Sequence, residues 1–418
     1  MNFEKTNLKD GSTLIVVNVP KSLSITFKIF IRSGPRFDPK NRPGLSHFVE
    51  HLMFKGTKKY NNSEILSRTL ESCGAMAEGF SYQETNIYTI KIPKNNLDIA
   101  IDILMEQVHN SLFRTKDIEK EKGVVLEEFE MTKSNPSSYI WELWSENIWK
   151  NNALGRIYCG NPTDINSFNK KNITNFIKNN YLPQNTVYVI SGDISSKKVK
   201  KIINNYLSPA PVNNIQKSIE TKIIRNNPIK IENNNDSTIT VNYGFLTDGA
   251  KNKDRHILEL LEYLLGRGLG CRLNQKTTEK GLTYFTMAHT QFLSDTGYFL
   301  IDFTAQTKNI NHILEIINRE LTSIKNGHLS SKEITRAKEY YIGQLLINNE
   351  TTDALANWYG HQAIIDLHKI LSIAEKQKIM KNIKKTELVK VANKYFTKDN
   401  WYLSAIGPIK EKDIKIDL

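Results

Sequence analysis

Two histidines four residues apart with a glutamate between them, His47-Phe48-Val49-Glu50-His51, are the residues of this chain best suited to chemistry. Leu45, Phe48, Leu52 and Met53 recur around them at helical spacing after the turn Arg42-Pro43-Gly44, which predicts a short helix with an apolar back. Residues four apart on a helix stand on one face, one turn apart, so both imidazoles can point at one ion. Glu50, three residues after His47, shares that face. Two imidazoles with a carboxylate that need not itself be a ligand are what a catalytic zinc helix presents. With nine histidines in 418 residues, chance supplies on the order of 0.01 such patterns per chain, so an ordinary helix is the weaker reading.

A catalytic zinc needs a third protein ligand and one position left for water. Residues 115–133 read as a helix dense in acids, with Asp117, Glu119, Glu121, Glu127, Glu128 and Glu130. Most of these fit a solvated face. Glu121 and Glu128, however, are seven apart on one stripe, on a different side from Val124, Val125 and Phe129. Either carboxylate can be the third ligand, with the other orienting or tuning it. Glu127 points about 100° away from Glu128 and is the weaker candidate.

The elements that must position these groups follow from pattern. Residues 13–19 and 24–32 are rich in β-branched side chains and read as paired strands. A helix over 63–73, capped by Ser63 and ended by Gly74, precedes strands at 75–81 and 85–93. An amphipathic helix covers 97–110, Pro136 breaks the acidic helix, and residues 139–150, with three tryptophans, form the next. A strand at 186–191 and a last helix lead into Leu207-Ser208-Pro209-Ala210-Pro211 and its Asn-rich continuation, the best linker in the chain. The tryptophans read as core or interface anchors. Gly266-Arg267-Gly268-Leu269-Gly270 lacks a strand-turn-helix setting and reads as a flexible turn, not a phosphate loop.

The part after the linker repeats the part before it. Tyr181-Leu-Pro-Gln-Asn185 leading to Gly192-Asp-Ile194 is echoed from Tyr395 to Gly407-Pro-Ile409. Leu112-Phe113-Arg-Thr-Lys-Asp-Ile118 is echoed by His328-Leu329-Ser-Ser-Lys-Glu-Ile334, and each introduces a long helix. Two matches in register point to a duplicated unit of about 210 residues. The expected class is α+β, two homologous domains, each a mixed β-sheet with helices packed on one face. The expected limits are a catalytic zinc-binding domain over 1–208, a linker over 209–225 and a non-catalytic duplicate over 226–418. In the duplicate, Ala337 falls opposite Glu121 and Gln344 opposite Glu128, and His256 opens no second His-x-x-Glu-His motif. Only the first half is expected to bind metal, one Zn²⁺ per chain.

Composition narrows the alternatives. The formal net charge is +13, but the lysines are dispersed, with no basic arm or aromatic-basic stripe, so a basic solvated surface is favoured over nucleic-acid binding. Cys73, Cys159 and Cys271 are far apart and without ligand spacing, and read as reduced thiols, mostly buried. No run reaches 18 apolar residues and no leader pattern opens the chain, so a cytoplasmic protein without a membrane span is expected.

The run from His47 through Leu-Met-Phe-Lys-Gly-Thr57, then Glu119-Lys-Glu121-Lys-Gly-Val-Val-Leu-Glu-Glu128, resembles the pitrilysin-type inverzincin peptidases. Within them it is most similar to the branch of the mitochondrial processing peptidase β-subunit and its bacterial zinc-protease counterparts. Arg32-Ser33-Gly34, Leu154-Gly155-Arg156 and Gly160 before Pro162 support the resemblance, which covers nearly the whole chain. It implies that His47, His51 and Glu128 are the zinc ligands, Glu50 the catalytic base and Glu121 the carboxylate assisting the site. It also implies a clamshell around a peptide chamber, in which the substrate adds as a strand at the edge near 77–81, touching Glu78, Gly79 and Phe80, with Tyr284 from the second half. Two departures stand out. Relatives usually have Asn-Ala where this chain has Glu78-Gly79, a change that favours basic peptides. Many also have an arginine where Thr277 stands, seven residues before Tyr284; Arg272 is nearby in sequence but is not assigned that role. The implied activity is zinc-dependent hydrolysis of short or unfolded, presequence-like peptides. The alternative is a non-catalytic peptide-binding or assembly subunit of a two-subunit complex, and a homodimer or heterodimer with a related chain fits either.

Overall fold

A computed structural model describes residues 3–209, 221 and 227–416. The first half of the chain forms β1 (Phe3–Asn7), β2 (Thr13–Asn18), β3 (Ser24–Ile31), α1 (Leu45–Leu52), α2 (Ser63–Ser72), β4 (Met76–Tyr82) and β5 (Thr85–Pro93). It continues through α3 (Leu97–Asn110), α4 (Thr115–Ser134), α5 (Pro136–Ile148), α6 (Pro162–Ser167), α7 (Lys170–Asn180), β6 (Thr186–Gly192) and α8 (Ser196–Asn204). The second half forms β7 (Ile229–Glu232), β8 (Thr238–Asp248), α9 (Asp254–Leu265), α10 (Arg272–Lys276), β9 (Thr283–Phe292) and β10 (Thr296–Gln306). It ends with α11 (Ile310–Lys325), α12 (Ser331–Ile347), α13 (Thr352–Ile365), α14 (Ile373–Asn382), α15 (Lys385–Tyr395) and β11 (Trp401–Ile406). The linker expected at 209–225 lies, apart from Pro209 and Thr221, outside the described residues.

Two mixed sheets result, ordered β1-β2-β6-β3-β5-β4 and β7-β11-β8-β10-β9. β2 runs parallel to β6 and β7 parallel to β11, and every other pairing is antiparallel. From β2 onward the first sheet therefore has the order and strand senses of the second, the topology of a duplicated unit. The runs expected to pair directly, β2 and β3, do not. β6 lies between them, with Val16 opposite Ile190 on one side and Phe27 opposite Ile190 on the other. All of β6 is buried, so its Thr-Val-Tyr-Val-Ile run belongs in the sheet interior, not at an edge. Two helix starts also move. The cap of α2 is Asn62, whose side chain accepts from the Ile65 amide, not Ser63. Pro136 opens α5 at its first position, where a missing N–H costs nothing.

The chain divides into two compact units that do not follow sequence order: Met1–Glu130 with Arg156–Ile219 and Leu346–Ala374, and Met131–Gly155 with Glu220–Leu345 and Glu375–Leu418. In the first, Phe27, Ile29 and Ile31 of β3 pack with α1 and α3 on one sheet face. On the opposite face, Phe30, Ile15, Val17, Val187 and Val189 pack against Leu355 and Tyr359 of α13. In the second unit, Trp144 and Ile148 of α5, with Trp149, pack on Leu246, Tyr298 and Leu300. Asn147 donates there to the Leu403 carbonyl at 2.9 Å. Its other face carries Tyr243, which donates to Asn318 of α11 at 2.9 Å, and Phe245 and Phe299, each 4.9 Å from the Phe396 ring. Each sheet thus keeps its own helices on one face and receives on the other a helix from the opposite half of the sequence. Among the described residues no helix is long and apolar enough to cross a membrane.

The α13 contact includes a buried charge. Lys28, 1% exposed, donates to Thr89 at 3.1 Å and pairs with Asp353 at 2.8 Å. Removing the carboxylate strands an ammonium inside the sheet face. Asp353→Ala is expected to cost on the order of 2 kcal/mol, and adding Lys28→Met is expected to recover most of it. Urea unfolding of the two variants checks this, and equal stability of Asp353→Ala and wild type would reject it.

Candidate metal centre

α1 is only eight residues long, so its position must be fixed from outside. Gly44, its N-cap, has φ +83 and lies so close to the Cys159–Gly160 backbone that a Cβ would meet the Cys159 carbonyl oxygen at 2.1 Å. Only glycine fits there. The cap is supplied by Asp38, whose carboxylate accepts from Gly44 N at 2.7 Å and Ser46 N at 2.8 Å. Burial pushes Asp38 up to about 8, against those amides and the Arg156 charge, which pull it down. Asn86 on β5 donates to the Ser46 carbonyl at 2.9 Å, and Gln107 on α3 to the Met53 carbonyl at 3.2 Å. The helix is therefore held at both ends.

Its polar face converges as the motif spacing predicts. His47 Nε2 and His51 Nε2 are 3.3 Å apart. Glu128 Oε2 on α4 lies 3.4 Å from His51 Nε2 and 3.8 Å from His47 Nε2. Two ligands on a tetrahedral zinc with bonds near 2.0–2.1 Å are separated by about 3.3 Å, so these three atoms fit one ion. Donor atoms of His47, Glu50 and His51 also lie within 4.8 Å of one another, with Glu50 Oε2 3.9 Å from His51 Nε2. Glu121, 2% exposed, receives His51 Nδ1 at 2.9 Å and faces Lys55 Nζ at 2.6 Å. The charges respond to this crowding. Burial lowers His47 to about 3 and, joined by the charges of Glu128 and Glu121, raises Glu50 to about 7. Burial alone would lower His51, but the Glu121 hydrogen bond and the three carboxylates raise it. Burial would raise Glu121, and His51 and Lys55 outweigh it to hold it low.

β4, the terminal strand of its sheet, runs beside α1. Its residues alternate: Ala77, Gly79 and Ser81 are half-buried, and Met76, Glu78, Phe80 and Tyr82 are exposed. A Cβ on Gly79 would meet Glu50 Oε1 at 1.8 Å and Phe54 at 2.8 Å, so glycine here admits the Glu50 carboxyl against the strand. Glu78 and Phe80 alternate to the other face, away from Glu50. Counting pairs from the two-residue turn between Tyr82 and Thr85 leaves the amides of Ala77, Gly79 and Ser81 toward the free edge. The Ser81 carbonyl is taken by the Tyr158 hydroxyl, and the Tyr158 ring lies 5.0 Å from His47.

Tyr284 belongs to the second unit, on the terminal strand β9, 73% exposed. Thr277 is fully buried and bonds the Leu273 carbonyl and the Thr286 hydroxyl, each at 2.8 Å. Arg272 is committed to Glu333 at 2.6 Å and Glu320 at 3.3 Å. Asp38, Asn86, Gln107 and Tyr158 carry no sequence signal for their roles, being placed by folding alone. Lys55, three residues past the end of α1, is likewise not singled out, although it falls within the motif run.

The chain is similar to known proteins over nearly its whole length. Residues 14–161 match the family model described as insulinase (peptidase family M16), and residues 167–341 match that described as the peptidase M16 inactive domain. A Rickettsia felis protein named an uncharacterized zinc protease is 26% identical, over 95% of this chain and 95% of its own. The mitochondrial-processing peptidase subunit beta of Neurospora crassa is 25% identical, over 97% of this chain and 88% of its own. In fold, a protease from Helicobacter pylori solved as a crystal structure matches with TM-score 0.89 at 21% identity, over 97% of this chain and 99% of that one.

The remote cap yields a test. Asp38→Ala removes two amide hydrogen bonds at the start of α1 and is expected to cost about 1–2 kcal/mol. It should also weaken divalent-metal binding, because both histidines ride on that helix. Urea unfolding and competitive zinc titration read the two effects, and a variant matching wild type in both would refute the role.

Proposed function

Because the chain belongs to peptidase family M16, we propose that it is a zinc-dependent metalloendopeptidase acting on short or unfolded peptides. The observation that carries this is the spacing of His47, His51 and Glu128 at a tetrahedral edge, with Glu50 beside it. In this reading those three residues hold one zinc ion per chain and Glu50 stays off the metal. When bound, zinc supplies a Lewis acid that polarises the scissile carbonyl and lowers the pKa of water. Glu50 accepts the proton of the attacking water and delivers it to the leaving amine. Glu121 accepts from His51 Nδ1, which fixes the ring so that Nε2 is the free donor atom. The substrate adds as a strand to β4, pairing with the outward amides of Ala77 and Gly79. Glu78 and Phe80 on the exposed face meet alternate side chains, Glu78 favouring basic ones.

The free thiols of Cys73, Cys159 and Cys271 support the cytoplasmic setting that belongs to this reading, with peptide processing as the role. The non-catalytic partner-subunit reading draws on Thr277, whose buried hydroxyl cannot hold a substrate.

Glu50→Gln is expected to keep about one zinc per chain and lose about 10²–10⁴-fold in hydrolysis of a quenched fluorescent peptide library. If wild type and variant both hold zinc and neither cleaves, the partner-subunit reading replaces the enzyme. Glu128→Gln is expected to weaken zinc binding by at least about 100-fold, and Glu121→Gln by about 10–100-fold. Competition against a fluorescent chelator ranks them, and a larger loss for Glu121→Gln would exchange their roles.

A further inference from the structure

The second unit contains a cavity of about 560 Å³ among α9, α14 and α15. Its apolar wall is Ile257, Ile379, Ile383 and Val391. Four charged side chains also line it, and they are not equivalent. Asp254 is engaged by Lys394 at 2.9 Å and by the Tyr395 hydroxyl at 3.2 Å. Glu387 accepts the Lys384 amide at 2.8 Å, capping α15. Lys253 and Lys390 have no side-chain partner among the described residues. Lys253 and Lys390 are therefore the cations left to hold an anionic ligand group, and the N-terminus of α9 at Lys253 adds to them.

His256 lines the same cavity. It is the third residue of α9, as His47 is of α1, and Glu259 is the sixth, as Glu50 is. Leu260 stands where His51 does. Between this histidine and glutamate sits Lys376, buried, its ammonium bonded to Glu259 and 2.6 Å from His256 Nδ1. Tyr341 also donates to Glu259, at 3.0 Å. An ammonium only donates, so Nδ1 accepts and the proton of the neutral ring is on Nε2. Burial holds His256 below its ordinary value, which keeps that ring neutral. The counterpart of α1 thus carries a lysine-anchored imidazole with an N–H donor, and this histidine lines an apolar cavity together with two lysines.

We propose that this cavity binds an aliphatic carboxylate. Its chain lies against the isoleucines and Val391, and its carboxylate is held by Lys253, Lys390 and His256 Nε2–H. Such a group comes either from a fatty acid or from the C-terminus of an apolar peptide. The proposal does not depend on the peptidase reading.

The test is calorimetric titration of the full chain with octanoate, octan-1-ol, N-acetyl-Ile-Leu and its C-terminal amide. Saturable octanoate binding at one per chain is expected, with octanol weaker by at least roughly tenfold, the worth of one charge-assisted contact. Lys253→Gln with Lys390→Gln, both at exposed positions, is expected to weaken octanoate by a similar factor, and Ile379→Trp to abolish binding by filling the wall. Tighter binding of octanoate than of the acetylated dipeptide assigns a lipid-derived ligand. The reverse order, with the amide inactive, assigns a peptide C-terminus. Absence of saturable binding, equal affinity for octanoate and octanol, or indifference to the lysine pair would overturn the proposal.

Discussion

The hydrogen bond from His51 Nδ1 to Glu121 is the interaction on which the candidate metal centre depends. It joins α1 to α4 across 70 residues of sequence, and the second Glu121 oxygen faces Lys55, so the carboxylate is buried without being left uncompensated. A buried carboxylate lacking such partners would neutralise itself or destabilise the fold. With them it stays ionised, fixes the His51 tautomer and brings the neighbouring stripe residue, Glu128, to the two Nε2 atoms. The apolar packing behind α1, through Phe48, Val49 and Leu52, holds the helix close enough for that bond to form. Asp38, Asn86 and Gln107 fix its ends.

Duplication explains the scaffold around this contact. The two sheets share strand order and senses, yet α5 and α13, each following the long helix of its repeat, pack on the sheet of the other half. A mixed sheet with helices on one face leaves the other face apolar, and Phe30, Val187 and Val189 on one sheet and Leu246 and Leu300 on the other need cover. The exchange supplies it with equivalent helices. It also means that neither half of the sequence contains all of its own unit.

That exchange is where sequence reasoning runs out. Period and composition located α1, α3, α4, β4 and β5 closely, because each carries its own local pattern. The His-x-x-Glu-His spacing and the Glu121–Glu128 stripe likewise needed only helical geometry to bring five site residues together. No local signal says which sheet α13 covers, nor that β6 separates β2 from β3, since a strand buried on both faces reads the same in any interior slot. Tyr158 was invisible for a related reason, its partner being the backbone of Ser81, 77 residues away, and Asp38 because nothing in its type marks a cap placed six residues ahead of Gly44 at the helix start. Strand alternation divides the β4 residues between two faces, Gly79 toward Glu50 and Glu78 and Phe80 toward the other.

Charge balance explains why one repeat suits a metal ion and the other does not. Around His47 and His51 stand three carboxylates, Glu50, Glu121 and Glu128, with Lys55 as the only lysine paired to them among the described residues. The excess is two negative charges, which a divalent cation offsets. Burial, joined by the charges of Glu128 and Glu121, raises Glu50, and against burial the Glu121 hydrogen bond with the three carboxylates raises His51. Around His256 there is one glutamate, Glu259, and its counter-charge is the Lys376 ammonium, carried on the chain itself. Ala337 and Gln344 stand where the further carboxylates would be. That cluster is already neutral, so a metal ion entering it would have to displace a buried, hydrogen-bonded lysine with no surplus of negative charge to draw it in.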